Sequence, residues 1–186
     1  MINIPNSLTL IRLAMIPVFI YVYYLPYDWS NFAATVVFGL AAITDWFDGY
    51  LARKLQQQSQ LGAILDPLAD KLIVVIALIL LVADNPTNNW LLFSTIVIIS
   101  REVFVPTLRE WMAEHGEGDK VAVSYVGKIK TTVQMFALGF LIFKYDTLGL
   151  PVYTIGIILL VIAATLTLSS MLSYMYAARN TIKKST

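Results

Sequence analysis

Cysteine is absent from the 186 residues and histidine occurs once. The first absence excludes disulfides, thiolate chemistry and Cys-ligated metals. The second leaves His115 alone in a polar, Gly-rich stretch, with no partners for a catalytic triad or a histidine metal site. Charge is scarce too. Asp, Glu, Lys and Arg make up 13% of the chain while 58% is hydrophobic; a soluble domain carries roughly 25% charged residues. That balance excludes a soluble globular domain and a disordered chain. Thirteen basic against twelve acidic residues leave a net charge of +1, so nothing draws the chain as a whole to nucleic acid. What is present is long apolar runs. A membrane-spanning helix needs about 20 mostly apolar residues, and a chain of this length holds about six.

The runs fall at Leu8–Leu25, Phe32–Phe47, Leu61–Val82, Trp90–Leu108, Val133–Phe143 and Leu148–Met175. Turn-forming stretches part them: Pro26 to Asn31, Asp84 to Asn89 and His115 to Asp119. Backbone groups in lipid must be satisfied within the segment, so helices are expected, and no strand alternation suggests a β-barrel. The first run resembles a signal peptide, yet no small-residue cleavage site follows it, and a retained helix is expected. Asn6 or Ser7 stands where a cap would, and Pro17 where a kink would. All Lys and Arg except Lys144 fall on one side of a six-span arrangement, the side that also holds both ends of the chain. By the positive-inside rule that side is cytoplasmic, with Trp29 and Trp90 at the opposite rim. The expected fold is therefore all-α: a polytopic integral membrane bundle of six transmembrane helices, one domain over residues 1–186, with both termini cytoplasmic.

The informative charges lie inside these runs or at their edges. A carboxylate at the bilayer centre costs on the order of 2.5–3.5 kcal/mol on insertion scales, which makes such residues functional by default. Asp45 and Asp48 are three apart at the end of the second helix, and Asp66 and Asp70 four apart at the start of the third. Each spacing places its pair on one helix face. The link near Lys54 to Gln60 is short, so the helices should be antiparallel neighbours with the pairs facing at one depth, near the cytoplasmic rim. Four such carboxylates could take up protons, pair with bases or bind cations. An all-oxygen donor set favours a hard divalent ion, Mg²⁺ or Mn²⁺, and four carboxylates can hold two ions about 3.5–4 Å apart. Gly49, Ala52 and Gly62 would let a ligand approach the helix backbones closely.

A second constellation is basic. Arg101 interrupts the fourth run, Arg109 follows eight residues later on nearly the same face, and Lys128 and Lys130 open the fifth helix. Such cations suit a phosphate, Arg bidentately and Lys as a point charge. Equally, Arg101 could pair with Glu102 or an aspartate, and the lysines could serve orientation alone.

Written out, the acidic stretch reads Asp45-x2-Asp48-Gly49-x2-Ala52-Arg53-x8-Gly62-x3-Asp66-x3-Asp70. This resembles the complete motif of the CDP-alcohol phosphatidyltransferases. The resemblance implies a six-helix membrane enzyme, usually a homodimer, in the bacterial inner membrane with its active site open to the cytoplasm. It implies that Asp45, Asp48, Asp66 and Asp70 bind two divalent ions, Mg²⁺ or Mn²⁺, and that Asp70 is also the general base. CDP-diacylglycerol would be the donor, contacted by Gly49, Ala52, Arg53 and Gly62, with Ser59, Asn6 and Thr9 also at the nucleotide. Further stretches, Asn3 to Arg12, Arg109-Glu110-Trp111 and Gly127 to Thr132, extend the resemblance over most of the chain. They are similar to family members that use sn-glycerol 3-phosphate, its phosphate then falling to Arg101, Arg109, Lys128 and Lys130. Within the family the acceptor could instead be inositol phosphate, or phosphatidylglycerol as in a cardiolipin synthase. Outside it, four acids could line a divalent-cation transporter. A transporter places its acids near the midplane and shows inverted repeats; these acids lie near one rim, and no repeat is visible.

Overall fold

In the computed structural model, the structure describes residues 4–55, 60–118, 125–147 and 149–185, and the side chains of these except 4–8, 45–55, 60–64, 66, 67, 70, 125–128, 180 and 182–185. Among the described residues there are six helices and no strand beyond an isolated bridge between Thr147 and Leu150. They are α1 (Ile4–Tyr23), α2 (Ser30–Leu55), α3 (Gln60–Asp84), α4 (Asn89–Glu114), α5 (Tyr125–Phe143) and α6 (Val152–Ser185).

Each apolar run lies within or overlaps one helix, but the helices outlast the runs mainly at their charged ends. α2 continues past Phe47 to Leu55, α4 past Leu108 to Glu114, and α6 past Met175 to Ser185, while α5 begins at Tyr125, well before Val133. The extensions carry Arg53, Lys54, Arg109, Lys128, Lys130 and Arg179. These are good helix formers, so leaving an apolar environment does not end the helix. Among the described residues two helices, over Asn89–Glu114 and Val152–Arg179, are long and apolar enough to cross a membrane. Large apolar side chains point outward along both, among them Phe93, Ile96 and Val103 on α4 and Ile158, Leu168 and Leu172 on α6. In water such surface is a liability; against lipid it is ordinary.

Helix ends follow local chemistry. Asn88 caps α4, its Oδ1 accepting from the Leu91 amide at 3.2 Å. Gly116, at φ +71°, closes the other end. Its amide donates to the Ala113 carbonyl and that of Glu117 to the Met112 carbonyl, the Schellman pattern that needs a left-handed residue after the cap. His115 is the exposed C-cap, its ring against Trp111. One detail differs from expectation. α1 begins at Ile4, so Asn6 and Ser7 lie inside it and not at its cap. Pro5 falls in the first turn, where its missing amide proton costs nothing, so the helix starts before it. Pro17 sits within an uninterrupted α1.

Packing divides the chain into two compact units. The first takes residues 1–81 and 138–156. In it α1 packs on α2 through Phe19 and Phe38, with ring centroids 6.0 Å apart. At the turn end Phe32 meets Phe143 edge-on, Lys144 lies over the Tyr23 ring, and the Tyr145 hydroxyl donates to the Asp28 carbonyl. Gly156 is closely approached. A Cβ there would stand 2.9 Å from Leu141 Cγ and 3.2 Å from the Leu141 amide nitrogen. Leu141 is fully buried and the nitrogen cannot swing aside. Gly156→Ala should therefore cost about 1–3 kcal/mol, visible in detergent as a Tm loss of about 2–4 °C per kcal/mol. An unchanged Tm would show that the two helices separate freely at this point.

The second unit takes residues 82–137 and 157–186. Its core where α4 meets α6 is Val105, Met112, Tyr174 and Ala178, with Leu108, Trp111 and Ala177 against them. Beyond it the Thr181 hydroxyl donates to Glu117 at 3.1 Å.

Candidate active site

In the first unit the buried residues of each helix form one stripe. On α1 it runs Thr9, Arg12, Ile16, Phe19, Tyr23; on α2 Ser30, Ala34, Phe38, Ala41; on α3 it is broader, with Ala69, Ile73, Val74, Ala77, Leu78, Leu80 and Leu81. At about 100° per residue, Asp45 and Asp48 fall in line with the α2 stripe, and Asp66 and Asp70 fall at the centre of the α3 stripe. Both apolar stripes thus give way to acids at the ends joined through residues 56–59. Gly49, Ala52 and Arg53 follow on α2, and Gly62 precedes on α3.

The α1 stripe changes character at its matching end. Thr9 and Arg12 are both 0% exposed. Joined by a six-residue turn and in contact, α1 and α2 run antiparallel. Seven residues from the Phe19–Phe38 contact, outward along each helix, stand Arg12 and Asp45; ten residues out stand Thr9 and Asp48. A buried guanidinium at the height of an acid is the arrangement expected where charge must be compensated away from water. The sequence reading gives Arg12 a part in orientation and in the resemblance but no place in the site. The signal that could have found it is its four-residue step before Ile16 on the buried stripe. Asn6 lies one turn earlier on α1, its side chain outside the described residues, as are those of Asp45, Asp48, Asp66, Asp70, Gly62, Ala52, Arg53 and Lys128; Ser59 lies wholly outside them.

In the second unit the basic residues divide. Arg101 Nη1 donates to Glu102 Oε1 at 2.8 Å, and Lys130 Nζ reaches the same oxygen at 3.4 Å. Lys130 is 0% exposed, and Arg101 Nε is buried with no hydrogen-bond partner among the described residues. Two cations thus converge on one partly buried carboxylate oxygen, leaving one positive charge in excess among the described residues. Arg109 stands two turns further along α4, about 12 Å by helical rise. It is held from α6, its Nη2 donating to the Tyr174 hydroxyl at 2.7 Å with its guanidinium 5.0 Å from that ring. The Arg101–Glu102 pair is the alternative the sequence raised for Arg101, whereas Tyr174 was not foreseen as a site residue. Tyr174 lies 65 residues from Arg109, and no local pattern announces the contact.

The chain is similar in sequence to known proteins. A family model described as CDP-alcohol phosphatidyltransferase matches residues 2–175. Proteins of Shigella flexneri, Shigella boydii and Escherichia coli, each named CDP-diacylglycerol–glycerol-3-phosphate 3-phosphatidyltransferase, are 49% identical over 177 residues, covering 95% of this chain and 95% of their own.

Proposed function

We propose, on the premise that this chain belongs to the CDP-alcohol phosphatidyltransferase family, that it transfers the phosphatidyl group of CDP-diacylglycerol to sn-glycerol 3-phosphate. The products are phosphatidylglycerol phosphate and CMP. One observation carries the reaction class: the core stripes of two consecutive helices end in acid pairs at the ends their short link joins. The named relatives supply the two substrates.

The oxygen donors of Asp45, Asp48, Asp66 and Asp70 suit hard cations. These residues would hold two ions, Mg²⁺ or Mn²⁺, which when bound neutralise the donor's pyrophosphate. Gly49, Ala52 and Gly62 leave room beside the helix backbones for the nucleotide, and Arg53, Ser59, Asn6 and Thr9 contact it. Asp70 takes the proton of the acceptor hydroxyl as that oxygen bonds to the phosphorus bearing diacylglycerol. The bond from that phosphorus to CMP breaks, and CMP carries the charge away. Most of the catalytic effect is positioning and charge stabilisation, as in other phosphoryl transfers.

Arg101 and Lys130 bind the acceptor's phosphate, with Arg109 and Lys128 flanking them. The excess of positive charge around Glu102 Oε1 supports this assignment. That excess attracts a phosphate anion. The one-sided distribution of Lys and Arg supports six spans in a bacterial inner membrane, both termini and the active site facing the cytoplasm. A homodimer accords with the family.

The test is incorporation of radiolabelled acceptors into lipid by the detergent-purified enzyme with CDP-diacylglycerol and Mg²⁺ or Mn²⁺. Glycerol 3-phosphate should be incorporated at least tenfold faster than inositol phosphate or phosphatidylglycerol. Preference for either of the others would replace the acceptor while keeping the reaction class.

A further inference from the structure

Glu102 is an unexpected residue to find among cations assigned to an anionic substrate. On a helix, neighbours in sequence point about 100° apart and do not face each other. The Arg101–Glu102 ion pair therefore does not come with the helix. Arg101 has to fold sideways towards the Glu102 flank of α4, and that flank is where Lys130 of α5 arrives, 28 residues later in the chain. One oxygen gathers both nitrogens. Without it, two like charges in a poorly hydrated place would push apart.

The carboxylate does not exhaust the groups it gathers. A guanidinium has five N–H donors and an ammonium three. Arg101 uses one donor on Glu102, and its buried Nε has no partner among the described residues. Lys130 likewise places one contact on Glu102. The remaining donors are brought together on groups spaced closely enough for a single phosphate to touch both.

We propose that Glu102 is a positioning residue of the acceptor-phosphate subsite: its carboxylate holds Arg101 and Lys130 together so that both meet one phosphate. The proposal rests on the assignment of Arg101 and Lys130 to that phosphate. It makes Glu102 an organiser of the site and not a competitor for it.

Steady-state kinetics of the full-length enzyme in detergent micelles separate these roles. Glu102→Gln keeps the side chain's size and its oxygen but removes the charge. It should raise KM for glycerol 3-phosphate on the order of tenfold, a size typical of coupled polar groups. The kcat at saturating acceptor should change by less than about threefold, and KM for CDP-diacylglycerol should hold. Inorganic phosphate, used as a competitive inhibitor against glycerol 3-phosphate, should lose affinity by a similar factor. Glu102→Asp, which keeps the charge but withdraws it by one methylene, should fall between wild type and Gln. A purely structural ion pair would instead lower Tm and kcat with KM for the acceptor unchanged, and that result overturns the proposal. So does a KM that falls, which would mark Glu102 as a competing anion. Arg101→Ala and Lys130→Ala serve as the reference. If they raise KM and the Glu102 variants do not, the positioning role alone fails. If none of the four raises it, the acceptor assignment fails with it.

Discussion

Asp70→Asn is expected to lower kcat by about 10³-fold, within the range that loss of a general base produces, while the protein still purifies as a folded species. The isostere keeps the volume of the side chain and one acceptor oxygen, replaces the other with an NH2 donor, and removes its ability to take a proton. Asp70 is assigned two duties, and the experiment divides them. A ligand defect weakens with added ion, so raising Mg²⁺ or Mn²⁺ should restore activity if coordination were all that was lost. A base defect does not respond to the ion. The expected result is a rate that stays low across the titration; recovery to near wild type would reduce Asp70 to a ligand. Asp48→Asn provides the contrast. It should shift the ion concentration for half-maximal activity upward by about 10–100-fold and recover much of its rate when that concentration is supplied.

Chelation should have an equally large effect. Treatment with EDTA is expected to take the rate to background, a loss of about 10³-fold or more given the several kcal/mol of charge stabilisation a divalent ion supplies. Re-addition of Mg²⁺ or Mn²⁺ should restore it. Full activity in the presence of chelator would remove the ions from the reaction and leave the four aspartates without their proposed task. The same titration, followed by thermal unfolding, should show the ions raising Tm, because anything that binds only the folded chain stabilises it.

Much of this was legible from composition and spacing, for physical reasons that differ from residue to residue. The six helices of the described residues were visible as apolar runs because each buries or exposes an apolar face over most of its length. Their ends were misplaced because Arg53, Lys54, Arg109 and Lys130 continue a helix as readily as Leu does once the chain has left the apolar zone. The register of Asp45 with Asp48, and of Asp66 with Asp70, was legible because three- and four-residue steps are fixed by the helix itself. Their alignment with Phe38 and Ala41, or with Ile73 and Ala77, needed knowledge of which face is buried. The basic residues were legible as a group but not as an arrangement. That Lys130 meets Glu102 and Arg109 meets Tyr174 depends on how α5 and α6 lie against α4, information spread over 28 and 65 residues of chain. Arg12 illustrates the opposite difficulty. Its place on a buried stripe is a matter of simple counting, yet a charge near the end of an apolar run invites a topological explanation first.

The stripe on α2 has a consequence for how this protein can vary. Ser30, Ala34, Phe38 and Ala41 are the surface by which α2 is seated, and helical register carries that line on to positions 45 and 48. Rotation of the helix by a single residue's step, about 100°, would unseat the apolar half and carry the acids to another face in the same movement. Tolerance to change and fitness for the reaction are therefore distributed around the helix circumference, not along its length. Substitutions at Val36, Leu40 or Ile43, all outward-facing, can be explored with the acids undisturbed. A repacked Phe38 should register in turnover even where the fold survives it.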